Sequence, residues 1–197
     1  MNEHGTKPRI GVLAIQGDYA AHASALEEAG AIPCEIRKPE ELASIDGLII
    51  PGGESTTILK FLDRLGLFDV LKDFCSCKPV FGTCAGAILL AREVRNPAQR
   101  SLGAIDAVVE RNAYGWQIDS SILTAPSALP GHPLEMVFIR APRIASIGPN
   151  VTSLASRDGD PTLIRQGSVL AATFHPELSR DRRVHKLFVD MVRRSLT

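Results

Sequence analysis

Gly82-Thr83-Cys84-Ala85-Gly86 sets a cysteine between glycines, after the apolar run Val80-Phe81 and before the helix-forming stretch Ala87–Leu90. Strand, tight turn and helix in that order lift the central side chain above the strand's carboxyl end and hold it in a strained backbone conformation that flanking glycines relieve. A thiol so placed meets substrate rather than core. The helix that starts there points its dipole and free N–H groups at the sulfur, which favours thiolate and offers the Ala85 amide as an oxyanion donor. Both serve acyl transfer through a thioester. The turn alone leaves one alternative open, a small buried cysteine with glycines beside it for packing.

A thiol nucleophile needs a base, and five histidines are available. His4 falls in the leading polar segment, His132 in a Gly-His-Pro loop, and His185 on the side of the last helix read as polar, so all three are expected to be solvated. His22, early in the first helix, is expected to make a polar cap contact. His175 instead follows the apolar run Val169–Phe174 in Phe-His-Pro-Glu-Leu, at a strand end, where open α/β sheets place their sites. Glu177 can accept the other ring N–H, fixing the tautomer and stabilising imidazolium. A histidine that merely caps a sheet edge is the alternative. Pro51-Gly52-Gly53-Glu54-Ser55 is a third turn at a strand end, and its two glycines let backbone approach a ligand or turn a peptide plane into an oxyanion hole. By itself a Gly-Gly pair more often just makes a turn.

These three turns need a sheet to align them. Apolar runs at Arg9–Ile15, Ile32–Arg37, Gly47–Ile50 and Val80–Gly82 read as strands covered on both faces. Between them lie helical patterns over Ala20–Ala29, from Ser55 or Thr56 (either able to cap) to about Leu65, over Leu67–Cys75 and over Ala85–Arg92. That rhythm predicts an α/β fold with a mostly parallel central sheet flanked by helices. From Leu102 to Phe174 the runs shorten and are broken by Pro and Gly, with strands at Met136–Ile139, Thr162–Gln166 and Val169–Phe174 expected as antiparallel edge additions. Val184, Leu187, Phe188, Met191 and Val192 mark a final amphipathic helix capped by Asp181. Asn96–Arg100 and Pro126–Pro133 read as surface loops.

The 197 residues suit one domain, with residues 1–8 as a flexible tail. Lys plus Arg and Asp plus Glu balance at 22 each, which disfavours nucleic acid or an anionic membrane as partner. No secretory core opens the sequence and no run approaches the roughly 18 apolar residues of a membrane span, so a soluble, cytoplasmic protein is expected. Cys75-x-Cys77 lacks the spacing of a zinc site, and neither metal nor organic cofactor is expected.

Gly11-Val-Leu-Ala-Ile-Gln-Gly17, Pro51-Gly-Gly-Glu-Ser-Thr-Thr57, Gly82-Thr-Cys-Ala-Gly86, Arg111-Asn-Ala-Tyr-Gly115, Phe138-Ile-Arg-Ala-Pro142 and His175-Pro-Glu-Leu178 together resemble the class I (triad) glutamine amidotransferases. More narrowly, they resemble the glutaminase subunits of pyridoxal 5′-phosphate synthase. The resemblance implies a class I glutamine amidotransferase-like, flavodoxin-like fold. It also implies hydrolysis of L-glutamine to glutamate and ammonia by Cys84 as nucleophile, His175 as base and Glu177 as its orienting partner. Gly53, Glu54, Ser55, Arg111, Ile139 and Arg140 then map onto positions that hold glutamine, and the Gly53 and Ala85 amides onto the oxyanion hole. A guanidinium fork suits the substrate α-carboxylate, with Arg111 the first choice; Glu54 can hold either a cationic amine or a helix terminus.

The implied partner is a PdxS-type synthase subunit in a hetero-oligomer, which takes up the ammonia by a protected route for vitamin B6 biosynthesis. A glutaminase serving another pathway, or a redox-sensing module built on Cys84, are the competing readings. Three positions depart from the family pattern: Trp116 and Ser121 stand where Arg and Phe are common, and Ala21 where Glu is common. Trp116 is expected to be an exposed aromatic at a subunit interface.

Overall fold

The computed structural model describes residues 7–112 and 120–197. His4, Trp116 and the Ala113–Gly115 end of the Arg-Asn-Ala motif lie outside them. Chain order runs β1 (Arg9–Leu13), α1 (Tyr19–Glu28), β2 (Ile32–Ile36), β3 (Gly47–Ile50), α2 (Ser55–Arg64), α3 (Leu67–Cys77), β4 (Val80–Thr83) and α4 (Ala85–Leu90). It continues with β5 (Ala91–Arg95), β6 (Ile105–Glu110), β7 (Ser120–Ala125), β8 (Leu134–Ile139), β9 (Arg143–Ile147), β10 (Thr152–Arg157), β11 (Asp160–Gln166), β12 (Val169–Ala172) and α5 (Arg183–Ser195).

The central sheet has seven strands in the order β10-β11-β12-β4-β3-β1-β2. Its five strands from β12 to β2 are parallel, and β10 and β11 extend one edge antiparallel. Both faces are covered, so alternate residues of each central strand enter different cores. Leu48, Ile50 and Val80 pack with Ile58, Leu62 and Leu71 of α2 and α3, whereas Ile49 and Phe81 pack with Leu26 of α1 and Val184 and Phe188 of α5. The near-continuous apolar runs seen in the sequence are the signature of that double coverage.

The alternating first half thus folds as expected, and the departures have local causes. The helix expected over Ala85–Arg92 stops at Leu90, because Ala91–Arg95 pairs in parallel with β6. Pairing with a distant segment outweighs the helical propensity there. The second half does more than extend the sheet: β5-β6-β9 and the hairpin β7-β8 form separate small sheets. β12 ends at Ala172 rather than Phe174. Pro8, assigned to the tail, is buried, and its carbonyl accepts from Ile32 N at 2.9 Å. The N-cap of α5 is Arg182 rather than Asp181, although Asp181 Oδ1 accepts from Arg183 N at 3.1 Å. Glu54 rather than Ser55 or Thr56 caps α2, its carboxylate accepting from Thr57 N at 2.7 Å. Among the described residues no helix is long and apolar enough to cross a membrane.

Candidate active site

Four adjacent parallel strands, β1, β3, β4 and β12, end at one edge of the sheet, so the loops that follow them converge. Register makes this tight. Thr83 pairs with Ala172, and Cys84 N donates to Ala172 O at 2.8 Å, which places the turn after β4 beside the turn after β12. Cys84 takes φ 48° and ψ −105°, a conformation that L-residues rarely adopt and that local packing must hold. The flanking glycines have a steric cause: a Cβ on Gly82 would stand 2.5 Å from the Gly86 carbonyl carbon, and one on Gly86 would run into the Ile50 carbonyl oxygen. Helix α4 therefore approaches β3 and β4 more closely than any side chain would allow. Its first turn has no side-chain cap, so its leading amides, Ala85 among them, are free to bind an oxygen anion beside the sulfur.

His175 N donates to Val137 O of β8 at 2.8 Å, tying the turn after β12 to the small hairpin. Its ring Nδ1 lies 2.7 Å from Glu177 Oε1, and the Cys84 side chain is close enough to act on the ring electrostatically. With Nδ1 committed to the carboxylate, Nε2 is the ring nitrogen left to serve the sulfur. Burial pulls the imidazole pKa down, but the Cys84 and Glu177 contacts outweigh it and bring it up to about 10. The proton therefore sits on His175 at neutral pH. Cys84 Sγ also lies 3.8 Å from Ile139 O, so β8 closes one side of the thiol.

The Gly52–Gly53 turn covers the other side. A Cβ on Gly52 would meet His175 Cε1 at 2.5 Å and Cys84 Cβ at 3.3 Å, and Gly53 has φ 138°, accessible in practice to glycine alone. The loop after β1 packs on this turn: Gln16 Oε1 accepts from Glu54 N at 3.3 Å, and a Cβ on Gly17 would run into Gly52 O.

Of the residues expected to hold substrate, Glu54 and Arg111 meet each other, with Arg111 Nη2 at 3.1 Å from Glu54 Oε1. Glu54 therefore serves the helix terminus through one oxygen and a guanidinium through the other. Partial burial raises its pKa, but bonds from Thr56 and Thr57 prevail and take it down to about 2. Arg111 is largely covered, its side chain 11% exposed. Ile139 (38% exposed) and Arg140, at φ 44°, are open to solvent at the end of β8. The Ser55 hydroxyl is turned inward, donating to Gln99 Oε1 at 3.0 Å.

Two histidines expected elsewhere lie behind this site. His22 and His185 are both fully buried rather than solvated or capping. His22 Nε2 stands 3.1 Å from Thr83 Oγ1 and 3.3 Å from Glu177 Oε2, and His22 Nδ1 stands 3.1 Å from His185 Nε2. The helical spacing contained the signal. His22 with Ala25, Leu26 and Ala29, and His185 with Phe188, Val189 and Val192, each occupy i, i+3, i+4 and i+7 of a buried stripe. Among the described residues no group of His, Cys, Asp and Glu is arranged to hold a metal ion.

The sequence profile of the SNO glutamine amidotransferase family matches residues 12–194. The pyridoxal 5′-phosphate synthase subunit PdxT of Koribacter versatilis is 60% identical over 185 residues, covering 94% of this chain and 96% of the relative. The protein of the same name from Solibacter usitatus is 56% identical over 192 residues, covering 92% and 97%. A crystal structure of a glutamine amidotransferase superposes with a TM-score of 0.86 at 43% identity, covering 93% of this chain and 98% of that one. A match along nearly the whole length, with the cysteine elbow and the His-x-Glu turn at adjoining strand ends, means that the chain belongs to the SNO glutamine amidotransferase family.

Proposed function

We propose that this chain is the glutaminase subunit of a pyridoxal 5′-phosphate synthase, hydrolysing L-glutamine to L-glutamate and ammonia and passing the ammonia to a synthase subunit. The observation that carries this reading is the line Cys84–His175–Glu177 at the strand ends, roofed by Gly52–Gly53, in a chain so similar to PdxT relatives. Cys84 sulfur, as thiolate, attacks the side-chain amide carbon of glutamine. The Gly53 and Ala85 amides take the oxygen anion of the tetrahedral intermediate. His175, protonated at neutral pH, gives its proton to the departing nitrogen, and ammonia leaves as the γ-glutamyl thioester forms. The now neutral imidazole takes a proton from water, whose oxygen attacks the thioester; collapse of that second intermediate releases glutamate and returns Cys84. Glu177 holds the ring in one tautomer and offsets its charge throughout. The Arg111–Glu54 pair suits the carboxylate and ammonium of a free amino acid, and Ile139 and Arg140 border the same opening.

Ammonia freed into neutral water becomes ammonium, so delivery calls for a docked synthase of the PdxS type. Because Gln16 and Gly17 pack on the Gly52–Glu54 turn, a partner that moves the loop after β1 can set the Gly52–Gly53 peptide as donor, leaving the lone chain nearly inactive. Cys34, Cys75, Cys77 and Cys84 are all free thiols, which supports a reducing, cytoplasmic setting. The test is glutamate and ammonia release from glutamine, with and without a PdxS-type synthase. Activity should appear with the partner and fall by roughly four or more orders of magnitude in Cys84→Ala. Turnover by Cys84→Ala at the wild-type rate would refute the assignment.

A further inference from the structure

Glu177 is an ionisable side chain only 1% exposed, and its two oxygens are unequally served. Oε1 takes the His175 Nδ1–H, whereas Oε2 has, among the described residues, no partner of good hydrogen-bond geometry. A buried carboxylate that must stay charged and oriented needs a donor on that second oxygen. His22 Nε2 stands 3.3 Å away, on α1, between Glu177 and the Thr83 hydroxyl at 3.1 Å. Thr83 is the residue before Cys84, so one imidazole nitrogen touches both the turn after β12 and the elbow after β4.

The tautomers follow from the surroundings. If His22 carried its proton on Nδ1, its bare Nε2 would face a carboxylate, and His185, accepting on Nε2, would have its N–H on a buried Nδ1 without a partner. With the proton on His22 Nε2, that hydrogen is shared between Thr83 Oγ1 and Glu177 Oε2, and His185 Nε2–H donates to His22 Nδ1. Only an unused lone pair is then left on His185 Nδ1, a lesser cost than a stranded donor. Both rings are neutral: burial, and then competition with His185 and His175 for a proton, hold His22 well below its usual value, while burial, and then Arg182, hold His185 at about 3. The charges that act on His185 are Arg182 and Glu28, which pair with each other at 2.8 Å.

We infer that His22, backed by His185, is a positioning residue for Glu177: its Nε2–H reaches the carboxylate oxygen that His175 leaves unused and so fixes the ring that faces Cys84. The inference rests on the glutaminase reading for its kinetic consequence but not for its geometry. Nitrogen-15 NMR of the histidine-labelled full chain should find His22 and His185 neutral and protonated on Nε2 between pH 6 and 8; protonation of His22 on Nδ1 overturns the inference. In the complex with the synthase, His22→Leu should lower kcat about 10- to 100-fold with KM for glutamine little changed. His22→Gln, which restores a donor near the Nε2 position, should recover most of that loss. Equal losses in the two variants, or a loss confined to KM, would mark a packing role only and also overturn it. If His22→Leu does not fold, the tautomer measurement decides. An inactive wild-type complex would count against the proposed function instead, while the NMR result would still report on His22.

Discussion

A Cβ on Gly52 would press on the edge of the His175 ring at 2.5 Å and on Cys84 Cβ at 3.3 Å, so the smallest side chain at that position would separate the thiol from its base. Gly52→Ala should therefore cut kcat by about 100-fold, the scale of a displacement of about 1 Å between reacting groups. Steady-state kinetics in the synthase complex, beside a thermal melt, checks this: a fall in melting temperature without loss of kcat would show that the ring does not depend on Gly52. At this scale Cys84, His175 and Glu177 can be singled out in the sequence because turn chemistry is local: two glycines around a cysteine, and a proline and a glutamate after a histidine, sit within a few residues. His22 and His185 escape because histidine by itself reads as polar, although each lies on an apolar stripe of its helix. Nor can the sequence show that Glu54 serves Thr57 N and Arg111 at once, since those partners are three and 57 residues away.

At the scale of elements, the close contact of α4 with β3 is what raises Cys84 above the sheet. Gly86→Ala would drive a methyl group into the Ile50 carbonyl oxygen, which backbone cannot yield without parting helix and strand. A loss of about 3 kcal/mol or more is expected, at the upper end of overpacking costs. Gly103→Ala is the fitting control, because Gly103 also departs from ordinary geometry, with φ 68°, yet among the described residues nothing lies within 4 Å of the added atom. It should cost only the conformational strain of about 1–2 kcal/mol. Urea titrations of both variants separate the effects, and equal midpoints would argue against the close-approach account. The parallel strands and their helices are legible because each is a continuous apolar run or a local period. The small sheets are less so: whether Ala91–Arg95 continues a helix or forms a strand depends on β6, and the assignment of Pro126–Pro133 depends on β10, where Ser127 bridges Ala155. Such pairings are settled by distant residues and leave little trace in the segment itself.

For the whole molecule, the histidine chain from His175 to His185 sets a pH window of stability. His22 and His185 have folded-state values below the ordinary 6.5, so below that pH the unfolded chain takes up protons that the folded chain refuses. Stability therefore falls as pH drops below 6.5, and for His185 the fall continues to about 3. His175 has the opposite sign. Its folded value of about 10 stabilises the protein fully below 6.5, and that contribution fades as pH rises toward 10. Each group can contribute a slope of up to about 1.4 kcal/mol per pH unit within its window. The carboxylates add to the acid side only lower down: the contribution of Glu54 is present above 4.5 and lost toward 2. Between pH 6.5 and 5 the buried pair should thus dominate, and His185→Leu isolates it. This change leaves His22 Nδ1 without a donor, a fixed cost at neutral pH, but it removes one acid-sensitive group and the neighbour that helps depress the other. Unfolding free energies from urea titrations should show the wild type losing about 2 kcal/mol more than His185→Leu over that interval. Parallel curves for the two proteins would mean that His185 takes up its proton in the folded state, and that the buried pair is not the neutral relay its surroundings require.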